Sequence, residues 1–223
     1  MPNRHLQEAA LQPLSLLVLL GGLPLLCSAA SPKQAPANMV SRTAPASSAS
    51  ALEAQATKGP GLYAVTPERR AALETIRYAE GTWSGGSTLG YRILYGGGTF
   101  GSFERHPDTV VVRRYASAAA GAYQFLPGTW EAANRKLGLS GFGPASQDQA
   151  ALHLIESRGA LADVDRGQLT DRAINQLAQE WASFPTASGV SAYGQPSKTV
   201  QQLRAFHRAA LRRHQIRTQG EPA

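Results

Sequence analysis

Thr66–Gly86, TPERRAALETIRYAEGTWSGG, is the stretch from which the rest of the chain can be read. Thr66 and Pro67 open a helix as N-cap and first-turn proline, and Gly81 terminates it. Leu73 and Ile76 share one face, and Glu80, seven residues after Leu73, continues that apolar stripe. A carboxylate there meets the negative end of the helix dipole. Burial against Leu73 and Ile76 disfavours its ionisation as well. Both effects favour a proton being held. Two roles fit: an acid still protonated near neutral pH, or a structural glutamate paired with a base such as Arg77. Helix position alone leaves both open.

The 223 residues, 43% of them hydrophobic, suit one medium domain with appendages. The chain has a single cysteine, Cys27, so an intrachain disulfide and a CxxC-type metal site are both excluded. Five histidines lack HxxH or HExxH spacing, so no metal site and no cofactor are expected. No GxxxxGK[ST] loop, GxSxG elbow or dinucleotide fingerprint is present. The net charge of +7 suits anionic partners without identifying one. The basic end, RAFHRAALRRHQIR, reads as a solvated helix face or as an attachment to anionic wall polymer or membrane lipid. An exported chain with no interleaved aromatic platform argues against nucleic acid. Nothing demands more than a monomer.

Residues 1–30 read as a secretory signal: Arg4 and His5, a leucine-rich uncharged run, then small residues near Ala30. An uncleaved inner-membrane anchor is the alternative. Export to the periplasm or cell envelope is the expectation. Residues 31–61, rich in Ala, Ser and Pro, read as a disordered linker. The folded domain is expected over 62–214, with a disordered tail at 215–223.

Within the domain helices dominate. YRILYGGGTFGSF alternates at Tyr91, Ile93 and Tyr95 around Gly96–Gly98, which predicts a small hairpin. AGAYQFL adds a short strand or turn. TWEAANRKLG, SQDQAALHLIESRGA, TDRAINQLAQEWA and SKTVQQLRAFHRAALRRH have helical spacing, and Ser146 with Gln149 suggests a capping box. The fold class is α+β: a mainly helical domain with a small antiparallel β-hairpin lobe.

The ordered motifs RYAEGTWSGG, GYRILYGGGTF, HPDTV, AAAGAYQF, RKLGLSGFGPASQDQAALHLIESRGA, DRGQLTDRAINQLAQEWASFP and YGQ together resemble the lambda-phage endolysin family. The resemblance covers about Pro67 to His207. It implies a lysozyme-like fold and a lytic transglycosylase that cuts peptidoglycan glycan strands. A hydrolytic lysozyme, or a non-catalytic peptidoglycan-binding module, is the alternative. It implies Glu80 as the catalytic acid. It places Tyr123 and Gln124 in the floor of the sugar cleft and matches Tyr193 and Gln195 to the YGQ motif. The chain departs from the family at Arg92, where an aspartate is usual, and in the inserted TASGVSA loop.

Trp83, in a Gly/Ser-rich loop beside Glu80, suits either sugar stacking or packing. Trp130 and Trp181 continue apolar stripes and are expected in the core. Glu104 and Asp108 are the candidates for a second carboxylate, and both read as solvated loop acids. His106 before Pro107 is expected to organise a turn.

Overall fold

The computed structural model describes residues 63–220. The proposed leader, Cys27 and the linker lie outside the described residues. Helix α1 (Pro67–Ala79) forms as its caps dictate: the Thr66 hydroxyl accepts the Arg69 N–H at 3.3 Å, and Pro67 sits in the first turn. Its inner face buries Ala72, Leu73, Ile76 and Ala79. Gly81, at φ 75°, turns the chain away.

The segment expected to form a hairpin does something different. Thr88–Arg92 and Tyr95–Gly97 are 3₁₀ turns, joined to their surroundings by single antiparallel bridges, Ile93 to Thr99 and Leu94 to Ala120. Gly96 and Gly97 both take positive φ, so the chain reverses too tightly for strands to extend. Tyr91 is 8% exposed but residues 92–95 are all half-buried, so burial does not alternate. The antiparallel pair lies further on. Strand β1 (Val111–Val112) pairs with β2 (Ala116–Ser117), with Val111 opposite Ser117 and Val112 opposite Ala116. Two-residue strands flanked by arginines carry no periodic signal to read.

Helix α2 (Pro127–Leu137) starts at a proline and ends on left-handed Gly138. Helix α3 (Pro144–Ser157) begins two residues before the expected capping-box serine. The box does not form. Ser146 donates to the Ser140 carbonyl, while buried Gln149 bonds both backbone groups of Tyr63. The short α4 (Leu161–Asp165) has no expected counterpart. Helix α5 (Asp171–Leu177), capped by Thr170, ends well before Trp181. Helix α6 (Val200–Gly220) continues past the expected boundary at His214, so residues 215–220 are helical and not a disordered tail.

The core is one cluster in which Ile76, Tyr123, Phe142, Leu152, Ile155, Ile174, Leu177, Phe184 and Leu203 are almost wholly buried. Trp130 and Trp181 belong to it, as expected. Helix α6 packs along α1. Phe206 stacks on Tyr78 at 4.3 Å between ring centroids, and half-buried Glu74 accepts from both Arg213 and His214 at 2.8 Å. Among the described residues no helix is long and apolar enough to cross a membrane.

Candidate active site

Three segments distant in sequence meet at the end of α1. The Thr82 hydroxyl donates to the Ala122 carbonyl, tying the turn after α1 to the 121–125 turn. The Trp181 indole N–H donates to the Tyr123 carbonyl at 3.1 Å, fastening the segment after α5 to the same turn. The Ser183 hydroxyl closes the triangle by donating to Glu80 Oε1 at 2.6 Å. Glu80 is therefore fixed from the far side by a residue 103 positions away.

The 121–125 turn is built around glycine. Gly121 has φ 80°, and a Cβ there would lie 2.3 Å from the Gln147 side-chain oxygen. Gln147 is 0% exposed and serves three loops. It accepts the Ala122 N–H at 2.8 Å and donates to the carbonyls of Tyr91 and Phe142. A buried amide with these partners satisfied fixes the turn to which both Thr82 and Trp181 bond.

Burial pushes the Glu80 carboxyl up to about 7, and the Ser183 hydrogen bond pulls against that rise. Glu80 forms no ion pair among the described residues. The pairing with Arg77 is not made. Arg77 donates to the Ser87 carbonyl at 3.0 Å and lies over the Tyr91 ring at 4.6 Å. Glu80 Oε2 has no hydrogen-bond partner among the described residues and is not closed off from solvent. An acid of this kind can donate a proton near neutrality and, once ionised, take one back.

The expected sugar contacts divide. Gln124 stands at φ 49° and donates to the Ile93 and Gly121 carbonyls, leaving its side-chain oxygen accessible. Tyr193 is 46% exposed and anchors its loop by donating to the Gln179 carbonyl, and Gln195 is half-buried on that loop. Tyr123 is a correction. Its ring is 1% exposed within the core and its hydroxyl donates to Asp148 at 2.5 Å, so it has no face for a sugar. Trp83 is half-buried, edge-on to Phe206 at 5.0 Å, with the Arg213 guanidinium over its ring at 5.6 Å.

Glu104 and Asp108 are exposed. His106 organises its turn by accepting the Asp108 N–H and donating to the Phe125 carbonyl at 2.8 Å. Sequence reading singled out neither Ser183 nor Asp148. The Asp148 carboxylate accepts from Tyr91 and Tyr123, and burial raises its pKa. Arg92 does not take up the role of a cleft acid. Its guanidinium donates to the Phe100 and Gly101 carbonyls and lies over the Phe103 ring at 3.9 Å. Among the described residues no group of acidic, histidine or cysteine side chains is arranged to hold a metal.

The endolysin of Escherichia phage lambda is 38% identical over 136 residues, 59% of this chain and 83% of that protein. The endolysin of Escherichia phage P2 is 39% identical over 94 residues, which are 42% of this chain and 54% of its own length. The structure of bacteriophage lambda lysozyme complexed with a chitohexasaccharide superposes with a TM-score of 0.61. It is 35% identical, and the match covers 67% of this chain and 97% of that one. A second lambda lysozyme structure gives a TM-score of 0.55 at 28% identity, covering 70% and 96%. The lysozyme-like α+β fold expected from the sequence is the fold observed. With the endolysin family model matching residues 70–213, the chain belongs to the endolysin family.

Proposed function

We propose that the protein is a lytic transglycosylase, cutting the β-1,4 bond between N-acetylmuramic acid and N-acetylglucosamine. Membership of the endolysin family supports the coarser statement, peptidoglycan cleavage by a lysozyme-like glycosidase. The chitohexasaccharide bound to the related lambda lysozyme supports a glycan strand as the ligand. The observation that carries the finer reading is Glu80, a carboxyl without an ion-pair partner among the described residues, whose pKa burial lifts to about 7 and which has one oxygen unpartnered.

A hydrolase of the usual kind needs two carboxyl groups flanking the bond. Of the other acids considered, Glu104 and Asp108 are exposed, and Asp148 is occupied by two tyrosine hydroxyls. Transglycosylation needs one. Glu80 gives its proton to the glycosidic oxygen as the C1–O bond breaks, and N-acetylglucosamine leaves with a free hydroxyl. The Glu80 carboxylate then takes the proton of the C6 hydroxyl, whose oxygen bonds to C1 and closes a 1,6-anhydro ring. Glu80 ends protonated, as it began.

Digestion of purified peptidoglycan followed by mass spectrometry tests this. Anhydro-muramyl ends are expected, and reducing ends in their place would make the enzyme a hydrolytic lysozyme. Wall binding without turnover would leave a binding module. The site is proposed to work in the envelope after export, a reading that rests on residues 1–30. N-terminal sequencing of the mature protein separates cleavage near Ala30 from retention as an anchor.

A further inference from the structure

We infer that Ser183 is a positioning residue that divides the work between the two oxygens of Glu80. It holds Oε1, so that Oε2 delivers the proton to the glycosidic oxygen and later takes one back. This rests on Glu80 being the acid. A neutral carboxyl carries one O–H, and an oxygen already accepting from a serine is the poorer place for it. Ser183 donates to Oε1 at 2.6 Å, while Oε2 is unpartnered among the described residues and not fully enclosed. The unpartnered oxygen is thus the one assigned to the substrate.

The bond also changes strength along the reaction. While Glu80 is neutral it is an ordinary hydroxyl–carbonyl contact. As the proton leaves, it becomes charge-assisted, roughly twice as strong. A bond that strengthens as charge develops lowers the barrier and does more than bind the ground state.

The serine is held for this. Its carbonyl accepts the Lys198 N–H at 2.8 Å, and neighbouring Phe184 is 0% exposed. Two residues earlier Trp181 is bolted to Tyr123. The charged groups of the packed elements are engaged elsewhere. Arg77 on α1 bonds Ser87, Lys198 lies over Tyr78 at 5.1 Å, and Arg213 on α6 pairs with Glu74. Among the described residues none forms an ion pair with Glu80, and Ser183 is its hydrogen-bond donor.

The experiment compares wild type with Ser183→Ala, Ser183→Thr and Glu80→Gln, reading the pH profile of peptidoglycan solubilisation together with a ¹³C titration of the Glu80 carboxyl. Loss of a bond that favours the ionised form raises the pH at which the acid is lost. In Ser183→Ala the alkaline limb and the carboxyl titration are therefore expected to move upward together. kcat is expected to fall about tenfold to a hundredfold at nearly constant KM. Threonine keeps a hydroxyl and is expected to restore both. An unmoved titration and limb in Ser183→Ala, beside an inactive Glu80→Gln, would overturn the inference alone. A lowered melting temperature without those shifts would make Ser183 merely structural. Full turnover by Glu80→Gln would overturn the underlying assignment instead.

Discussion

Glu80, the proposed acid, is also a burden on stability. Its folded pKa of about 7 lies above the ordinary value of 4.5, so between those values the native state binds more protons than the unfolded chain. Stability therefore falls as pH rises through that window. The full loss is on the order of 3 kcal/mol if the whole shift is realised. Glu80→Gln removes the titration. It is expected to be more stable than wild type at about pH 8, with the gap largely gone at about pH 4. Denaturant midpoints at the two pH values measure this, and a gap that does not close with acid would contradict it. Wild-type activity is expected to decline above about pH 7 as the acid ionises. The burial of Glu80 was legible in the sequence because it continues an apolar helical stripe, whereas its role as the acid came only from the family resemblance. Ser183 was not legible, because what makes it special is proximity across 103 residues. Tyr123 misled for the same reason. Its motif marks the turn, but only the packing shows that its ring faces Asp148.

At the scale of elements, the helices were readable wherever a cap and a stripe coincided, as at Thr66–Pro67, Gly138 and Thr170. The β lobe was not, because paired strands of two residues have no period and three successive glycines fit several turns. Ser146 and Gln149 have the spacing of a capping box, yet the Gln149 amide is better satisfied by the Tyr63 backbone. The turn joining Glu80 to its neighbours depends on one backbone position. Gly121 is at φ 80°, and an added methyl would overlap the Gln147 oxygen that receives Ala122. Gly121→Ala is expected to cost about 2–3 kcal/mol, from a left-handed φ and a displaced buried amide. Its activity loss is expected to exceed that of Gly101→Ala, where an added Cβ meets nothing within 4 Å. Thermal melts and turnover of the two variants decide the point, and equal effects would remove the turn's special standing.

Over the whole molecule, the folded unit is closed by two clasps rather than by its core alone. One joins α6 to α1 through Glu74, whose side chain is 13% exposed and meets both Arg213 and His214. Glu74→Ala would leave part-exposed Arg213 and largely buried His214 without their shared acceptor, at a cost of about 1–3 kcal/mol. Urea unfolding measures that loss, and a change below about 0.5 kcal/mol would reduce the pair to a surface contact. The other clasp sets where the domain begins. Gln149, 8% exposed on α3, bonds both the N–H and the carbonyl of Tyr63, and the Tyr63 hydroxyl donates to Glu156 at 2.5 Å. A chain starting at Gly61 keeps all three bonds, and it is expected to melt as the full-length protein does and retain its activity. A chain starting at Ala64 loses them and strands a nearly buried amide, for which the expected cost is about 2–3 kcal/mol. Scanning calorimetry of the two truncations compares them directly. Equal melting temperatures would show that the domain starts at or after Ala64; a low value for both would show that residues before Gly61 contribute to the fold.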